Sequence, residues 1–131
     1  MAVVGSSLGG FYATWVAAHM GCPAVLLNPA VHPARDLQKY IGEQTAWHDP
    51  QDHFFFHPAF IDELRALECP GQPRPEQVFA VVAKGDEVLD WCEMVGRYPG
   101  AQIRLLEGGD HALSDFATAH IDAVFDFLRL V

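Results

Sequence analysis

The chain has 131 residues, half of them hydrophobic, with 17 acidic side chains against 8 Lys and Arg and a formal net charge of −9. That length suits one domain with a sizeable core, and the apolar fraction argues against disorder. The acidic balance argues against a nucleic-acid partner. No apolar run reaches the roughly 18 residues of a membrane helix, and with no signal peptide pattern the expected location is the cytoplasm.

Ala2 to Ser6 is a short apolar run of the kind that makes a buried strand. Helix character follows from Leu8 to Met20, with Gly9, Ala13 and Ala17 recurring every four residues as a small face suited to close approach to a sheet. Gly21 is placed as its stop. Ala24 to Leu27 is the second strand, closed by Asn28-Pro29.

From Ala30 to His57 the pattern dissolves into an irregular insert holding Pro33, Pro50, several His and Phe54-Phe55-Phe56. Pro58 then opens a helix through Leu67, since Pro is tolerated at a first helical position. Cys69 to Pro75 reads as a loop. Val78 to Ala83 is the third strand, Val88 to Tyr98 a helix ended by Pro99-Gly100, and Ile103 to Leu106 the fourth strand. Phe116, Ile121, Val124, Phe125 and Leu128 recur at helical spacing opposite Asp122, Asp126 and Arg129, which predicts a closing amphipathic helix. Strands alternating with helices imply a parallel sheet covered on both faces, in a single domain over 1–131.

Gly5-Ser6-Ser7-Leu8-Gly9 is a G-x-S-x-G between a strand and a helix, the context that makes the motif a nucleophile elbow. The central Ser must take a strained backbone conformation, and residues two places either side must be small where strand and helix pass. The turn lifts Ser7 above the sheet edge and sets the Leu8 N–H at a helix N-terminus, where it favours a developing oxyanion. Phosphate-binding readings fail: the Rossmann spacing is broken at Ser7, and no Gly-Lys-Ser/Thr follows.

The chain order Ser, acid, His completes the pattern. Asp86 follows the third strand and His111 the fourth, each at a carboxyl end, where ligands bind in open parallel sheets. A neutral imidazole at His111 activates Ser7, and a carboxylate at Asp86 fixes its tautomer and stabilises the imidazolium. Gly108-Gly109 lets the His111 loop bend towards Ser7. Glu87, Asp90 and Asp110 are rivals for the acid, with Asp90 the runner-up; taken singly, Asp86 reads as a helix cap and His111 as a surface histidine. His48, His53 and His57 fit no zinc spacing, and His19 and His120 read as helix-surface residues. Cys22, Cys69 and Cys92 are scattered, odd in number and without C-x-x-C spacing, and read as buried, reduced thiols. Phe54-Phe55-Phe56 reads as core packing ahead of an acyl pocket. No cofactor or metal is expected.

Gly5-Ser6-Ser7-Leu8-Gly9-Gly10-Phe11-Tyr12-Ala13, Leu27-Asn28-Pro29-Ala30-Val31, Gly85-Asp86-Glu87-Val88-Leu89-Asp90 and Glu107-Gly108-Gly109-Asp110-His111-Ala112 together resemble the YqiA-like bacterial esterases, small α/β-hydrolase proteins. The resemblance implies hydrolysis of carboxylic esters, on short acyl groups, with Ser7 as nucleophile, Asp86 as acid and His111 as base. Family members begin with further strands and a His-Gly loop that supplies a second oxyanion donor. Met1 stands six residues before Ser7, so the chain is expected to be a partial, N-terminally truncated domain. Loss of one oxyanion donor lowers the rate about 100- to 1,000-fold, and an apolar edge at Ala2 to Ser6 favours self-association. The competing readings are a non-catalytic remnant acting by association, and thioesterase or acyl-transfer chemistry on the same triad.

Overall fold

A computed structural model describes residues 1–38, 42–46, 49–56, 58–68, 73–113 and 120–130. His48, His57, Cys69 and Phe116, all singled out above, lie outside the described residues. The described chain divides into two compact units, Met1–Val31 with Gly71–Val131, and His32–Pro70.

The first unit is built on a four-stranded parallel sheet in the order β1-β2-β5-β6. Strand β1 is Val3–Ser6, β2 Ala24–Leu27, β5 Val78–Ala83 and β6 Gln102–Leu106. The sheet runs parallel because each strand is separated from its neighbour by a crossover carrying helix. These crossovers hold α1, Leu8–Met20, and α4, Trp91–Arg97. Helix α5, Ile121–Leu130, closes the unit.

Strand β5 reads VFAVVA, and all six residues are buried. This is the continuous apolar run of a strand covered on both faces. Its alternate residues face opposite layers. Val78, Ala80 and Val82 pack with Ala13, Ala17, Leu26, Met94 and Tyr98, whereas Phe79, Val81 and Ala83 pack with Val25, Leu113, Val124 and Phe127. Helices α1 and α4 therefore cover one face and α5 the other. Among the described residues, no helix is long and apolar enough to cross a membrane.

Three elements differ in detail from the expectation. The small face of α1 buries Gly10, Ala13, Thr14 and Ala17, while Gly9 is exposed. Helix α4 starts three residues later than predicted. Asp90 caps it by accepting the Cys92 N–H, and the Val88 and Leu89 N–H groups are already held by Asp86. In α5, Val124 and Phe127 are buried but Phe125 is 52% exposed, so the buried stripe is narrower than the apolar pattern. Gly21 ends α1 as expected, in the left-handed region at φ 67°.

The second unit holds α2, Pro33–Leu37, an antiparallel hairpin of β3, Gly42–Ala46, and β4, Asp49–Phe56, and α3, Pro58–Leu67. The hairpin is the feature that the irregular reading of Ala30 to His57 misses. Aromatic residues favour strands, and Pro50 sits near the start of β4, where a proline is tolerated in a ladder. It forms its own two-stranded sheet, so the order of the four-stranded sheet is untouched.

One buried polar contact ties α1 to the end of α4. The Thr14 hydroxyl lies 2.8 Å from the Gly10 carbonyl and 2.7 Å from the Tyr98 hydroxyl. Because Thr14 donates its one hydrogen to Gly10, Tyr98 must donate to Thr14. Burial pushes the Tyr98 phenol above its ordinary value, and the Arg97 guanidinium offsets only part of this. The unfolded phenol ionises near pH 10, so the stability Tyr98 contributes is complete below that pH and is lost as the pH rises through the higher folded value. Tyr98→Phe is therefore expected to cost about 1 kcal/mol at pH 8, with the gap to wild type closing above about pH 10. Denaturant midpoints at the two pH values check this, and a constant gap would contradict it.

Candidate active site

Ser7 stands between β1 and α1 with φ 56° and ψ −120°, a conformation that costs a non-glycine residue. The surroundings hold it there. Its N–H donates to the Leu27 carbonyl at 3.0 Å, and its carbonyl accepts from Gly10 N–H at 3.0 Å and Ala30 N–H at 2.8 Å. Gly5 is required by close approach: a Cβ there would lie 2.1 Å from the Gly9 carbonyl oxygen. A Cβ on Gly10 would lie 2.7 Å from Pro29 Cβ, but one on Gly9 would meet nothing within 4 Å. The demand for smallness therefore falls on Gly5 and Gly10, and not, as the motif's symmetry suggested, on Gly5 and Gly9. Leu8 is the first residue of α1, so its N–H belongs to the first turn, where the helix supplies no internal acceptor.

The loops after β5 and β6 meet beside this turn. Lys84 N–H donates to the Leu106 carbonyl at 2.9 Å and Gly85 N–H to that of Gly108 at 3.1 Å. A Cβ on Gly85 would lie 2.3 Å from the Gly109 carbonyl oxygen, so this approach needs glycine. Gly109 takes φ 83°, which glycine adopts without strain. Lys84 and Glu107 add an ion pair of 3.0 Å across the two loops.

Asp86, His111 and Ser7 come together through these connections. His111 Nδ1 lies 2.7 Å from Asp86 Oδ2, and His111 Nε2 lies 2.9 Å from Ser7 Oγ. The Asp86 side chain is fully buried and that of His111 is 20% exposed. The second Asp86 oxygen accepts the Val88 and Leu89 N–H groups at 2.7 and 2.8 Å. Asp86 thus makes a cap-like turn contact and the histidine contact at once. With the carboxylate on Nδ1, the neutral ring carries its proton there, and Nε2 is left to accept from Ser7.

Asp90 serves as the cap of α4, and the Glu87 carboxylate accepts the backbone N–H of His111 at 3.1 Å. Asn28 closes β2. It is fully buried and donates to the carbonyls of Asp110 and His111. An Asn at a strand end carries no spacing signal that announces such a bridge. Of the remaining histidines, His19 is exposed and stacks on Trp15. His120 is 3% exposed and within 3.1 Å of Arg104 Nε, which corrects its assignment to the helix surface. Among the described residues, no three His, Cys, Asp or Glu side chains gather as a metal site.

The sequence model of the uncharacterised protein family UPF0227 matches residues 1–129. Among solved structures, a protein of Agrobacterium vitis S4 is 21% identical with a TM-score of 0.68, over 98% of this chain and 60% of its own. The mouse alpha/beta hydrolase domain-containing protein 10 is 23% identical with a TM-score of 0.66, over 97% and 62%. Est1E of Butyrivibrio proteoclasticus is 18% identical with a TM-score of 0.65, over 97% and 59%. The chain thus spans about 60% of the length of these proteins. At such identities the likeness establishes the α/β-hydrolase fold.

Proposed function

The chain belongs to UPF0227, the YqiA-like family, and within its α/β-hydrolase fold we propose a serine hydrolase that cleaves carboxylic esters, short acyl esters among them. The observation that carries this reading is the continuous relay from Ser7 Oγ through the His111 ring to Asp86, at 2.9 and 2.7 Å. A Pyrococcus furiosus esterase, Pf2001, is a structural neighbour at a TM-score of 0.58, and this supports the same chemistry here.

Ser7 Oγ attacks the ester carbonyl while its proton passes to His111 Nε2. Asp86 stabilises the resulting imidazolium, and the Leu8 N–H donates to the oxyanion. The intermediate collapses to a Ser7 acyl-enzyme as the leaving alkoxide takes the proton from His111. Water then gives a proton to His111 and attacks the acyl carbon, and the acid leaves as Ser7 recovers its proton. A thiol ester, or an acceptor alcohol in place of water, would use the same groups. No step calls for a cofactor. Self-association is a second reading, supported by the edge position of β1, where Val4 is 58% exposed.

The acid separates the assignments. Asp86→Asn should keep the fold yet lower kcat about 10⁴-fold, because the amide presents the wrong partner to the imidazole. Asp90→Asn should leave kcat within a few-fold, since Asn is also a good helix cap. Steady-state hydrolysis of p-nitrophenyl acetate by both variants is the check. A larger loss in Asp90→Asn would contradict the choice of acid.

A further inference from the structure

Asn28 follows β2 and takes φ 43°, a left-handed conformation that Asn tolerates better than most residues. Its side chain is completely buried, with every hydrogen-bonding group engaged. Oδ1 accepts the Ala83 N–H at 2.8 Å, and Nδ2 donates to the carbonyls of Asp110 and His111, both at 3.0 Å. The backbone N–H donates to Val81 at 2.9 Å. This pattern fixes the amide orientation, since a peptide N–H requires the oxygen and two carbonyls require the nitrogen.

These contacts reach all three parts of the relay. Leu27, just before Asn28, accepts the Ser7 N–H. Ala83 ends the strand that leads into the Asp86 loop. Asp110 and His111 belong to the histidine loop itself, and the His111 carbonyl lies on the residue whose ring must meet Asp86 and Ser7 at once. That ring is partly exposed, so its place depends on its main chain more than on walls around it. Glu87 holds the His111 N–H from the other side, but from an exposed position.

We propose that Asn28 is a positioning residue for the relay: it locks the His111 main chain to the ends of β2 and β5, so that the imidazole stays between Asp86 and Ser7. The inference rests on the serine-hydrolase reading of these residues. Only a group offering one acceptor and two donors in a plane meets the demand. Asn28→Asp keeps the size but turns a carboxylate oxygen, with no hydrogen to give, towards two carbonyls.

The test uses the 131-residue chain carrying ¹⁵N-labelled histidine, at a pH where the rings are neutral, with His111→Ala to assign the signal. Long-range ¹H–¹⁵N NMR should find wild-type His111 as a single tautomer protonated on Nδ1. Asn28→Asp should mix the tautomers at His111 and leave the other histidines unchanged. In p-nitrophenyl acetate hydrolysis kcat should fall about 100-fold, the scale of a 1 Å misplacement, with little change in KM. Asn28→Ser, smaller and without the paired donors, should give the same result if Asn28→Asp does not fold. A folded variant whose His111 keeps one tautomer would overturn the proposal, whatever its activity. So would loss of the fold in both variants, which would make Asn28 a scaffold residue. If wild type hydrolyses nothing and fails to react with a fluorophosphonate, the serine-hydrolase reading fails, while the tautomer comparison still decides the role of Asn28.

Discussion

Ser7→Ala is expected to abolish ester hydrolysis while leaving the fold intact. The members of a triad act as a unit, and removing the nucleophile alone costs about 10⁶-fold in kcat. The hydroxyl is hydrogen-bonded to His111 Nε2, whereas the Ser7 backbone is held by Leu27, Gly10 and Ala30. Alanine keeps those backbone bonds, so thermal stability should change little. It should even rise slightly if the partly buried hydroxyl is held at some cost to folding, the usual trade at a functional site. Kinetics with p-nitrophenyl acetate and a thermal melt on the same preparation check both parts. Retained turnover in a folded Ser7→Ala variant would contradict the assignment.

The second large effect lies in the elbow's glycines. Gly5→Ala places a methyl 2.1 Å from the Gly9 carbonyl oxygen, 2.4 Å from its carbon and 2.8 Å from Gly10 N. These are backbone atoms at the start of α1 and cannot turn aside as a side chain would. Strand and helix must separate, at a cost of about 3 kcal/mol, the upper end for overpacking. For a chain of this size that lowers Tm by about 10 °C. Separation also moves Ser7 away from His111, so activity should fall more than stability does. Gly9→Ala is the control. Its Cβ meets nothing within 4 Å, and the position is exposed on α1. Alanine there should be neutral or stabilise the helix by up to about 1 kcal/mol. Equal damage from the two substitutions, seen in paired melts, would mean that the motif's symmetry and not its packing sets the tolerance.

The contrast between these glycines shows where the sequence was legible. Period, length and punctuation located β1, α1, β2, α3, β5 and β6 to within a residue, because each is a strong local pattern ended by a Gly, a Pro or a polar loop. Ser7, Asp86 and His111 were legible by type and chain order, since a parallel sheet delivers its loops to one edge. What remained hidden depends on contacts between distant segments. Nothing local in Gly5 or Gly9 says which one faces a carbonyl. Nothing local in Asn28 says that its amide reaches residues 82 and 83 positions away. His120, read from the polar side of a helix, is buried beside Arg104 on a neighbouring strand. The hairpin of β3 and β4 was obscured by Pro50 and the scattered histidines, which hide an alternation that backbone pairing does not need.

On the serine-hydrolase reading, Ser7 is a nucleophile activated by His111 and Asp86, an assignment open to test. Its most direct measurement is the intact mass of the protein after a fluorophosphonate probe, followed by peptide mapping of the adduct. Wild type should gain a single adduct on Ser7. Ser7→Ala should gain none, and His111→Ala should label far more slowly, because an unactivated serine hydroxyl is a weak nucleophile. Labelling that persists in Ser7→Ala, or that proceeds at the wild-type rate in His111→Ala, would contradict it.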